Sequence, residues 1–317
     1  MDRIGVVGAG TMGTGVSQLF AEGGHRVVLV DIDRHALDRS RAAIADDLRL
    51  APLVRPHDVP PDPEAVLERI TFSTEAKDLS EADFVVENIV ERWDAKRELY
   101  RELDRVCRPE ALIGVNTSAI PITRIASVTG RPGQVIGTHF MNPAHLKPTV
   151  EVIRGHHTTD ATLERVGDLL RGVRRKHVVV ADSPGFVTNR VAMLTLNEAI
   201  FLLHENVASV TEIDRLFKEC FGHAMGPLAT ADLIGLDTVL LSLDVLYENF
   251  NDPKYRPCPL LRRMVDAGLH GRKTGQGFHS YEVPGRPRAE PAATDRTATD
   301  RTATDPAATA ATRPTAA

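Results

Sequence analysis

The stretch Ile4-Gly5-Val6-Val7-Gly8-Ala9-Gly10-Thr11-Met12-Gly13 decides how this 317-residue chain folds. It begins as a short apolar run that ends in glycine, a pattern typical of a buried parallel strand. Apolar residues at helical spacing follow over Thr11–Glu22, and residues 26–31 predict a second strand. A strand, a glycine-rich turn, a helix and a strand within about thirty residues indicate one βαβ unit.

The same alternation continues downstream and predicts a doubly wound, Rossmann-type α/β domain over residues 1–183. We expect further helices over residues 34–50 and 95–106, and further strands over residues 84–87, 112–115, 134–139, 150–153 and 176–180. From residue 184 the apolar spacing is helical, which predicts an all-helical domain over residues 184–283. Residues 284–317 consist mainly of Ala, Thr, Asp, Arg and Pro without large apolar side chains, so we predict a disordered tail.

The composition limits the range of partners. The formal net charge of −5 argues against nucleic acid or an anionic membrane as a binding partner. No apolar run approaches the roughly 18–20 residues of a membrane-spanning helix, and the N-terminus enters a strand with no room for a signal peptide. The three cysteines, Cys107, Cys220 and Cys258, match no zinc spacing. We therefore predict a cytoplasmic protein with free thiols and no metal site.

The glycine-rich turn predicts a dinucleotide site, because G-x-G-x-x-G here follows a strand and opens a helix. Gly8 permits the tight turn, Gly10 lets the backbone approach a pyrophosphate, and Gly13 allows close packing of helix and strand. We expect the helix N-terminus at Thr11 and Met12 to face the phosphates. A purely structural turn is the alternative.

Asp31, at the end of the second predicted strand, favours NAD over NADP as the dinucleotide. A carboxylate at this place accepts hydrogen bonds from the adenosine ribose and repels a 2′-phosphate. The nearby Arg34 weakens this preference somewhat, and an N-cap for the following helix is the alternative role of Asp31.

A histidine and a glutamate form the predicted catalytic pair. His139 ends one predicted strand, and Glu151 lies inside the apolar strand over residues 150–153. A carboxylate in an apolar strand needs a partner, and a turn over residues 142–148 would bring Glu151 back beside His139. Imidazole can take a proton from an alcohol near neutral pH while the carboxylate fixes its tautomer.

Two polar residues complete a candidate catalytic quartet. Ser118 follows the strand over residues 112–115, and Asn189 opens the helical domain. Each side chain could hydrogen-bond a reacting oxygen. Cap or turn residues are the alternative for both.

On these motifs the chain resembles the 3-hydroxyacyl-CoA dehydrogenase family, in particular its 3-hydroxybutyryl-CoA branch. The resemblance covers residues 1–281 and is carried by Gly8-Ala9-Gly10-Thr11-Met12-Gly13, Asn116-Thr117-Ser118, His139-Phe140-Met141-Asn142-Pro143, Val150-Glu151-Val152-Ile153 and Asp182-Ser183-Pro184-Gly185-Phe186-Val187-Thr188-Asn189-Arg190. It implies NAD-dependent oxidation of an (S)-3-hydroxyacyl thioester to the 3-oxoacyl thioester. It also implies a homodimer formed by the helical domain.

The resemblance assigns roles to single residues. It makes His139 the base and Glu151 its partner, and it makes Ser118 and Asn189 substrate-polarising residues, with Ser118 also near the nicotinamide. Further positions implied to line the cofactor are Glu91, Lys96 and Asn142. A solvated surface face is the alternative for Glu91 and Lys96.

Two segments depart from the family pattern. Residues 45–56 lack the serine and lysine positions that touch CoA in the family and instead include Asp46 and Asp47, so that Arg49 and Arg55 alone could serve its 3′-phosphate. The second departure is the segment over residues 144–149.

Three hypotheses besides a CoA-linked enzyme stay open. Residues 87–93 and 146–151 are similar to a branch that oxidises a glyceryl group on an acyl carrier protein for hydroxymalonyl or methoxymalonyl extender units of polyketides. An acidic carrier would need a basic face, for which the candidates are Arg171, Arg174, Arg175 and Lys176. The second hypothesis is a dehydrogenase of free hydroxy acids, such as the gulonate dehydrogenases. The third is a non-catalytic, crystallin-like NAD-binding protein.

Overall fold

A single mostly parallel sheet organises the N-terminal part of the chain. The computed structural model describes residues 1–54, 62–118 and 120–282. Its strands are β1 (Arg3–Val7), β2 (Arg26–Val30), β3 (Ile70–Ser73), β4 (Phe84–Glu87), β5 (Leu112–Val115), β6 (Val135–His139), β7 (Thr149–Arg154) and β8 (Lys176–Ala181). They pair in the order β3-β2-β1-β4-β5-β6-β7-β8, with β6 and β7 antiparallel and the other pairs parallel.

Helices connect the strands and then continue alone. Between the strands lie α1 (Thr11–Glu22), α2 (Arg34–Val54), α3 (Pro63–Glu68), α4 (Trp93–Val106), α5 (Ile122–Ala126) and α6 (Asp160–Gly172). After β8 follow α7 (Thr188–His204), α8 (Val210–Phe221), α9 (Pro227–Ile234), α10 (Leu236–Phe250) and α11 (Pro259–Asp266). This order confirms the predicted fold class, a Rossmann-type sheet followed by helices.

The two faces of the sheet bury separate apolar layers, because side chains alternate along each strand. One layer includes Val16 and Phe20 of α1 against Ile4 and Val6. The opposite layer includes residues of α4 and α5, and the later helices pack around their own core. The strand order reverses at β1 and β4, so a crevice opens beyond their carboxyl ends, where α/β sheets bind ligands.

Several elements were not predicted, and two predictions fall outside the described residues. The sequence patterns missed β3, α3, α5 and α6, and β6 begins one residue later than predicted because Pro132–Gln134 forms a 3-10 turn. The predicted tail over residues 284–317 and Arg55 lie outside the described residues. Met1–Tyr281 forms one compact unit, so the domain boundary near residue 183 stays a prediction.

Candidate active site

The turn after β1 has the geometry that its glycines predict. Gly8 has a φ of 95°, and a Cβ there would lie 2.7 Å from the Asn88 carbonyl oxygen. A Cβ at Gly13 would collide with the Gly8 carbonyl, whereas one at Gly10 would meet no described atom within 4 Å. The backbone at Gly10 therefore faces open space at the start of α1, and no described side chain caps this helix end. Such a cradle suits a pyrophosphate.

A cleft of about 1540 Å³ opens from this turn across the carboxyl ends of the strands. Of the predicted cofactor residues, its lining includes Gly8, Gly10, Thr11, Asp31 and Asn142. Met12 instead packs against the core. The catalytic quartet is not among the lining residues, whereas Asn142, three residues after His139 in the sequence, lines the cleft.

Asp31 braces the glycine turn in addition to facing the cleft. Its Oδ2 accepts the Ala9 N–H at 2.7 Å, and its Oδ1 accepts the Asp33 N–H at 2.9 Å. The alternative role as N-cap of α2 is wrong, because Asp33, immediately before the helix, accepts the His35 N–H at 2.9 Å.

The antiparallel pairing of β6 and β7 brings the predicted catalytic pair together. His139 and Glu151 are direct cross-strand partners, and His139 Nδ1 lies 2.9 Å from Glu151 Oε2. Their side chains are 9% and 5% exposed. An ionised carboxylate only accepts hydrogen bonds, so Nδ1 carries a hydrogen and the neutral imidazole leaves Nε2 as its acceptor.

Glu151 is held in the ionised form that this arrangement requires. Its Oε1 accepts the backbone N–H of Val187 at 2.8 Å and of Thr188 at 3.2 Å, and its Oε2 accepts the Thr188 hydroxyl at 2.6 Å. Burial acts to raise the pKa of Glu151, but the hydrogen bonds from His139, Thr188 and Val187 outweigh burial and lower that pKa to about 2.

Ser118 and Asn189 complete the quartet. The Ser118 Oγ lies 3.2 Å from His139 Nε2, the nitrogen that can accept a proton. The Asn189 side-chain amide donates to the Ser118 carbonyl oxygen at 2.9 Å. The structure thus brings all four predicted residues together, with the Asn189 amide holding the Ser118 loop.

Glu91 and Lys96 belong to a buried ionic cluster behind Ser118. Lys96 Nζ lies 2.8 and 2.7 Å from the two carboxylate oxygens of Glu87 and 3.3 Å from Glu91 Oε2. Both Lys96 and Glu87 are fully buried, so the alternative of a solvated face is wrong for Lys96. Burial acts to lower the pKa of Lys96, but the charges of Glu87 and Glu91 outweigh it and raise that pKa.

The cluster reaches the quartet through Glu91. Its Oε1 accepts the Thr117 hydroxyl and, at 3.3 Å, the Ser118 N–H. At the far end Tyr100 donates its hydroxyl to Glu87 at 2.6 Å. Sequence reasoning missed Glu87, although the signal that identified Glu151, a carboxylate at a buried strand, applies to it equally.

Comparison with known proteins decides the family of the chain. The family profile described as "3-hydroxyacyl-CoA dehydrogenase, NAD binding domain" matches residues 3–183, and that of the C-terminal domain matches residues 185–281. The chain belongs to the 3-hydroxyacyl-CoA dehydrogenase family.

Members of this family from several bacteria are similar over nearly their whole length. A probable 3-hydroxybutyryl-CoA dehydrogenase of Deinococcus radiodurans is 45% identical over 279 residues, which cover 88% of this chain and 100% of the relative. The crystal structure of (S)-3-hydroxybutyryl-CoA dehydrogenase from Ralstonia eutropha has a TM-score of 0.81 at 42% identity and covers 89% and 100% of the two chains. FadB2 of Mycobacterium tuberculosis has a TM-score of 0.85 at 36% identity and covers 89% and 99%.

As a member of the 3-hydroxyacyl-CoA dehydrogenase family, the chain is an NAD-dependent oxidoreductase. The residues present fit NAD, because the open space at Gly10 would accommodate a pyrophosphate and Asp31 lies in the same cleft. In the part of the chain that the structure describes, no helix is long and apolar enough to cross a membrane, and no group of three or more metal-ligating side chains occurs.

The two departures from the 3-hydroxyacyl-CoA dehydrogenase pattern meet in the structure. Asp47 Oδ2 lies 3.2 Å from His145 Nε2 and accepts the Gln18 side-chain amide at 2.6 Å. Arg49, one of the two candidates for a CoA phosphate, lies 3.3 Å from Asp46 on the exposed side of α2. At α2 the cleft is therefore lined by one cationic and one acidic side chain, Arg39 and Asp47, and the His145 imidazole of the β6–β7 loop lies beside Asp47.

We predict that Asp31→Asn raises the KM for NAD about 10- to 100-fold and narrows the preference for NAD over NADP. The amide oxygen can still accept the Ala9 N–H, but the variant loses the acceptor for the Asp33 N–H and the charge that would bind ribose hydroxyls and repel a 2′-phosphate. Steady-state KM values for both cofactors measure this. Asp38→Asn, on the exposed side of α2, is the control. If Asp31→Asn left the ratio of the KM for NADP to the KM for NAD unchanged, the assignment of Asp31 to the ribose site would be contradicted.

Proposed function

We propose that the chain oxidises an (S)-3-hydroxyacyl-CoA thioester to the 3-oxoacyl-CoA thioester, as a 3-hydroxybutyryl-CoA dehydrogenase. The observation that carries the proposal is the buried His139–Glu151 pair, with Ser118 at the free imidazole nitrogen. The names of the similar enzymes, among them the 3-hydroxybutyryl-CoA dehydrogenase of Bradyrhizobium diazoefficiens at 42% identity, support it.

The geometry accounts for the proton in this reaction. His139 Nε2 accepts the hydroxyl proton of the substrate, while Nδ1–H donates to Glu151 throughout and the carboxylate stabilises the imidazolium. The Ser118 hydroxyl, 3.2 Å from Nε2, is placed to hydrogen-bond the same substrate oxygen. NAD, when bound, supplies the acceptor for the hydride that leaves the carbinol carbon. In the reverse direction His139 returns the proton to the carbonyl oxygen.

The cofactor assignments follow the cleft. Gly8, Gly10, Thr11 and Asp31 would hold the adenosine and pyrophosphate, and Asn142 would line the path toward His139. Among the remaining predicted cofactor residues, Glu91 and Lys96 would act indirectly. Glu91 accepts the Ser118 N–H and Lys96 pairs with Glu91, so together they hold the loop of Ser118. Met12 and Gly13 would contribute to the cofactor site through the backbone of the first turn of α1, because the Met12 side chain packs against the core.

The glyceryl-carrier reaction is the second candidate. The Asp47 carboxylate at the cleft and the pairing of Arg49 with Asp46 favour it, because a CoA 3′-phosphate prefers basic neighbours. Of the predicted basic docking cluster, Arg171 contacts Asp168 and Arg175 donates to the His145 carbonyl, so both have partners within the chain. CoA thioesters therefore stay the first proposal.

A substrate comparison tests these proposals. Initial rates of NAD reduction would be measured with (S)-3-hydroxybutyryl-CoA, with a glyceryl-loaded acyl carrier protein and with L-gulonate. The proposal predicts the highest kcat/KM for the CoA thioester. A preference for the carrier would select the second candidate, and a preference for gulonate would select a dehydrogenase of free hydroxy acids. NADH binding without turnover on any substrate would indicate the non-catalytic, crystallin-like protein.

The helical part is proposed to form a homodimer. Apolar side chains are exposed on α7, α9 and α10, among them Val191 (61% exposed), Leu233 and Leu241. The proposal requires these side chains to form one contiguous apolar patch, since patches of that kind mark interaction sites. The family matches support domains over residues 1–183 and 184–283. The cytoplasmic location predicted from the sequence is retained as a proposal.

We predict that light scattering after size-exclusion chromatography gives twice the mass of one chain. Val191→Asp is expected to shift the protein toward the monomer, because it places a charge in the apolar interface. Val207→Asp, at the turn after α7 and also exposed, is the control. A monomeric parent protein would contradict the proposal.

A further inference from the structure

Thr188, the first residue of α7, contacts both members of the catalytic pair. Its hydroxyl donates to Glu151 Oε2 at 2.6 Å, the same oxygen that lies 2.9 Å from His139 Nδ1. The Thr188 Oγ1 is itself 3.4 Å from His139 Nδ1. One carboxylate oxygen is therefore shared between the imidazole and this hydroxyl.

The turn before α7 is built to aim these donors at Glu151. Gly185 and Phe186 have φ values of 74° and 51°, and a left-handed backbone is unfavourable for a phenylalanine. The Phe186 side chain is buried in the layer beneath the sheet, with its ring centre 5.8 Å from that of His139. This anchored turn directs the N–H groups of Val187 and Thr188 at Glu151 Oε1, so the positive end of α7 faces the carboxylate.

A hydroxyl donor on the shared oxygen must affect the imidazole. Each donor that a carboxylate accepts disperses its negative charge and weakens its attraction for a neighbouring cation. The imidazolium form of His139 is stabilised by that same charge. With the Thr188 hydroxyl present, Glu151 therefore stabilises a protonated His139 less than it would alone.

We propose that Thr188 is a positioning residue that sets the proton affinity of His139 through Glu151. The role rests on the proposed function, in which His139 is the base. It keeps the imidazole neutral, and so able to accept the hydroxyl proton, down to a lower pH. Thr188 was not predicted as a site residue, because its place depends on the backbone turn at Phe186.

The polar and charged groups around the pair have partners of their own. On the Nε2 side, Ser118 contacts His139, and the nearest cluster beyond it is Glu91 with Lys96. On α7, Asn189 donates to the Ser118 carbonyl, and the Arg190 guanidinium donates to the Tyr255 hydroxyl at 2.8 Å. The Thr188 hydroxyl is thus the described side chain that shares the Glu151 oxygen with His139.

The test compares Thr188→Val, which keeps the shape and removes the donor, with Thr188→Ser, which keeps the donor. Two readouts are used on the full-length enzyme with NAD bound. The first is the pH dependence of kcat/KM for oxidation of (S)-3-hydroxybutyryl-CoA. The second is an NMR titration of the His139 imidazole, assigned by its absence in His139→Gln.

For Thr188→Val we expect the pKa of His139, and with it the acid limb of the profile, to rise by about 0.5–1 pH unit. Oxidation needs neutral imidazole, so activity falls as the pH drops through the pKa of His139. Thr188→Ser is expected to keep the parental midpoint in both the His139 titration and the pH profile. Thr195→Val removes a hydroxyl that bonds the Val191 carbonyl of the same helix and is expected to leave both readouts unchanged.

The outcomes separate this inference from the proposed function. An unshifted His139 titration in Thr188→Val, with turnover intact, would overturn the role of Thr188 alone. A shifted titration in a protein that turns over no thioester would support the coupling and overturn the proposed function. Thr188→Ala provides the same comparison without the branched side chain if the valine variant folds poorly, and the same upward shift is expected for it.

Discussion

His139→Gln is expected to lower kcat about 10²- to 10⁴-fold while NADH binding stays at the parental level. Glutamine can still donate to Glu151, so the local packing is retained, but its amide cannot take a proton and return it. The side chain is nearly buried and is not among the residues that line the cleft proposed for the cofactor. The chemical step therefore loses its base while the cofactor site is intact.

The measurement is steady-state turnover of a 3-oxoacyl thioester with NADH, together with a fluorescence titration of NADH. His156→Gln, an exposed histidine in the loop after β7, is the matched control and is expected to keep parental turnover. Parental turnover in His139→Gln would contradict the assignment of the base. A loss of NADH binding in step with turnover would place His139 in the cofactor site instead.

Lys96→Met is expected to destabilise the fold by about 3–5 kcal/mol. Lys96 and Glu87 are both fully buried, and the ammonium contacts both carboxylate oxygens of Glu87. Methionine fills much of the same space but leaves the buried Glu87 without its cation. Burial already acts to raise the pKa of Glu87, so the loss of Lys96 should drive this carboxyl to bind a proton.

Urea unfolding followed by fluorescence would measure the free energy of unfolding. Lys77→Met is the control, because Lys77 contacts Glu75 at 3.8 Å on the surface and such a pair contributes about 1 kcal/mol or less. The double variant Glu87→Gln with Lys96→Met should recover part of the loss, since it removes both buried charges. Equal effects of Lys96→Met and Lys77→Met would contradict this role of the cluster.

The parts of the fold and site that the sequence predicts are those encoded by local pattern. The glycine turn was recognisable as a dinucleotide motif because a strand precedes it and a helix follows it. The open space at Gly10 agrees with the predicted pyrophosphate site. The pairing of His139 with Glu151 was predictable because a carboxylate in an apolar strand needs a partner, and the turn between the strands is short.

The parts that the sequence did not predict depend on contacts between distant elements. Lys96 lies on a polar-looking helix, α4, and its burial follows from Glu87 on the neighbouring strand. The contact between Asp47 and His145 joins residues almost a hundred positions apart, so neither segment predicts it alone. Strand β3 was missed for a different reason: it lies at the edge of the sheet and alternates Ile70 and Phe72 with Thr71 and Ser73, so it lacks the continuous apolar run that marks β4.

The central claim is that this chain reduces and oxidises an acyl thioester at the His139–Glu151 pair with NAD. The most direct test is NADH consumption by the purified protein with acetoacetyl-CoA, with NADH binding measured on the same sample. We expect one NADH oxidised for each 3-hydroxybutyryl-CoA formed, and turnover about 10²- to 10⁴-fold slower when His139→Gln replaces the parent. Tight NADH binding without any consumption of acetoacetyl-CoA would contradict the claim.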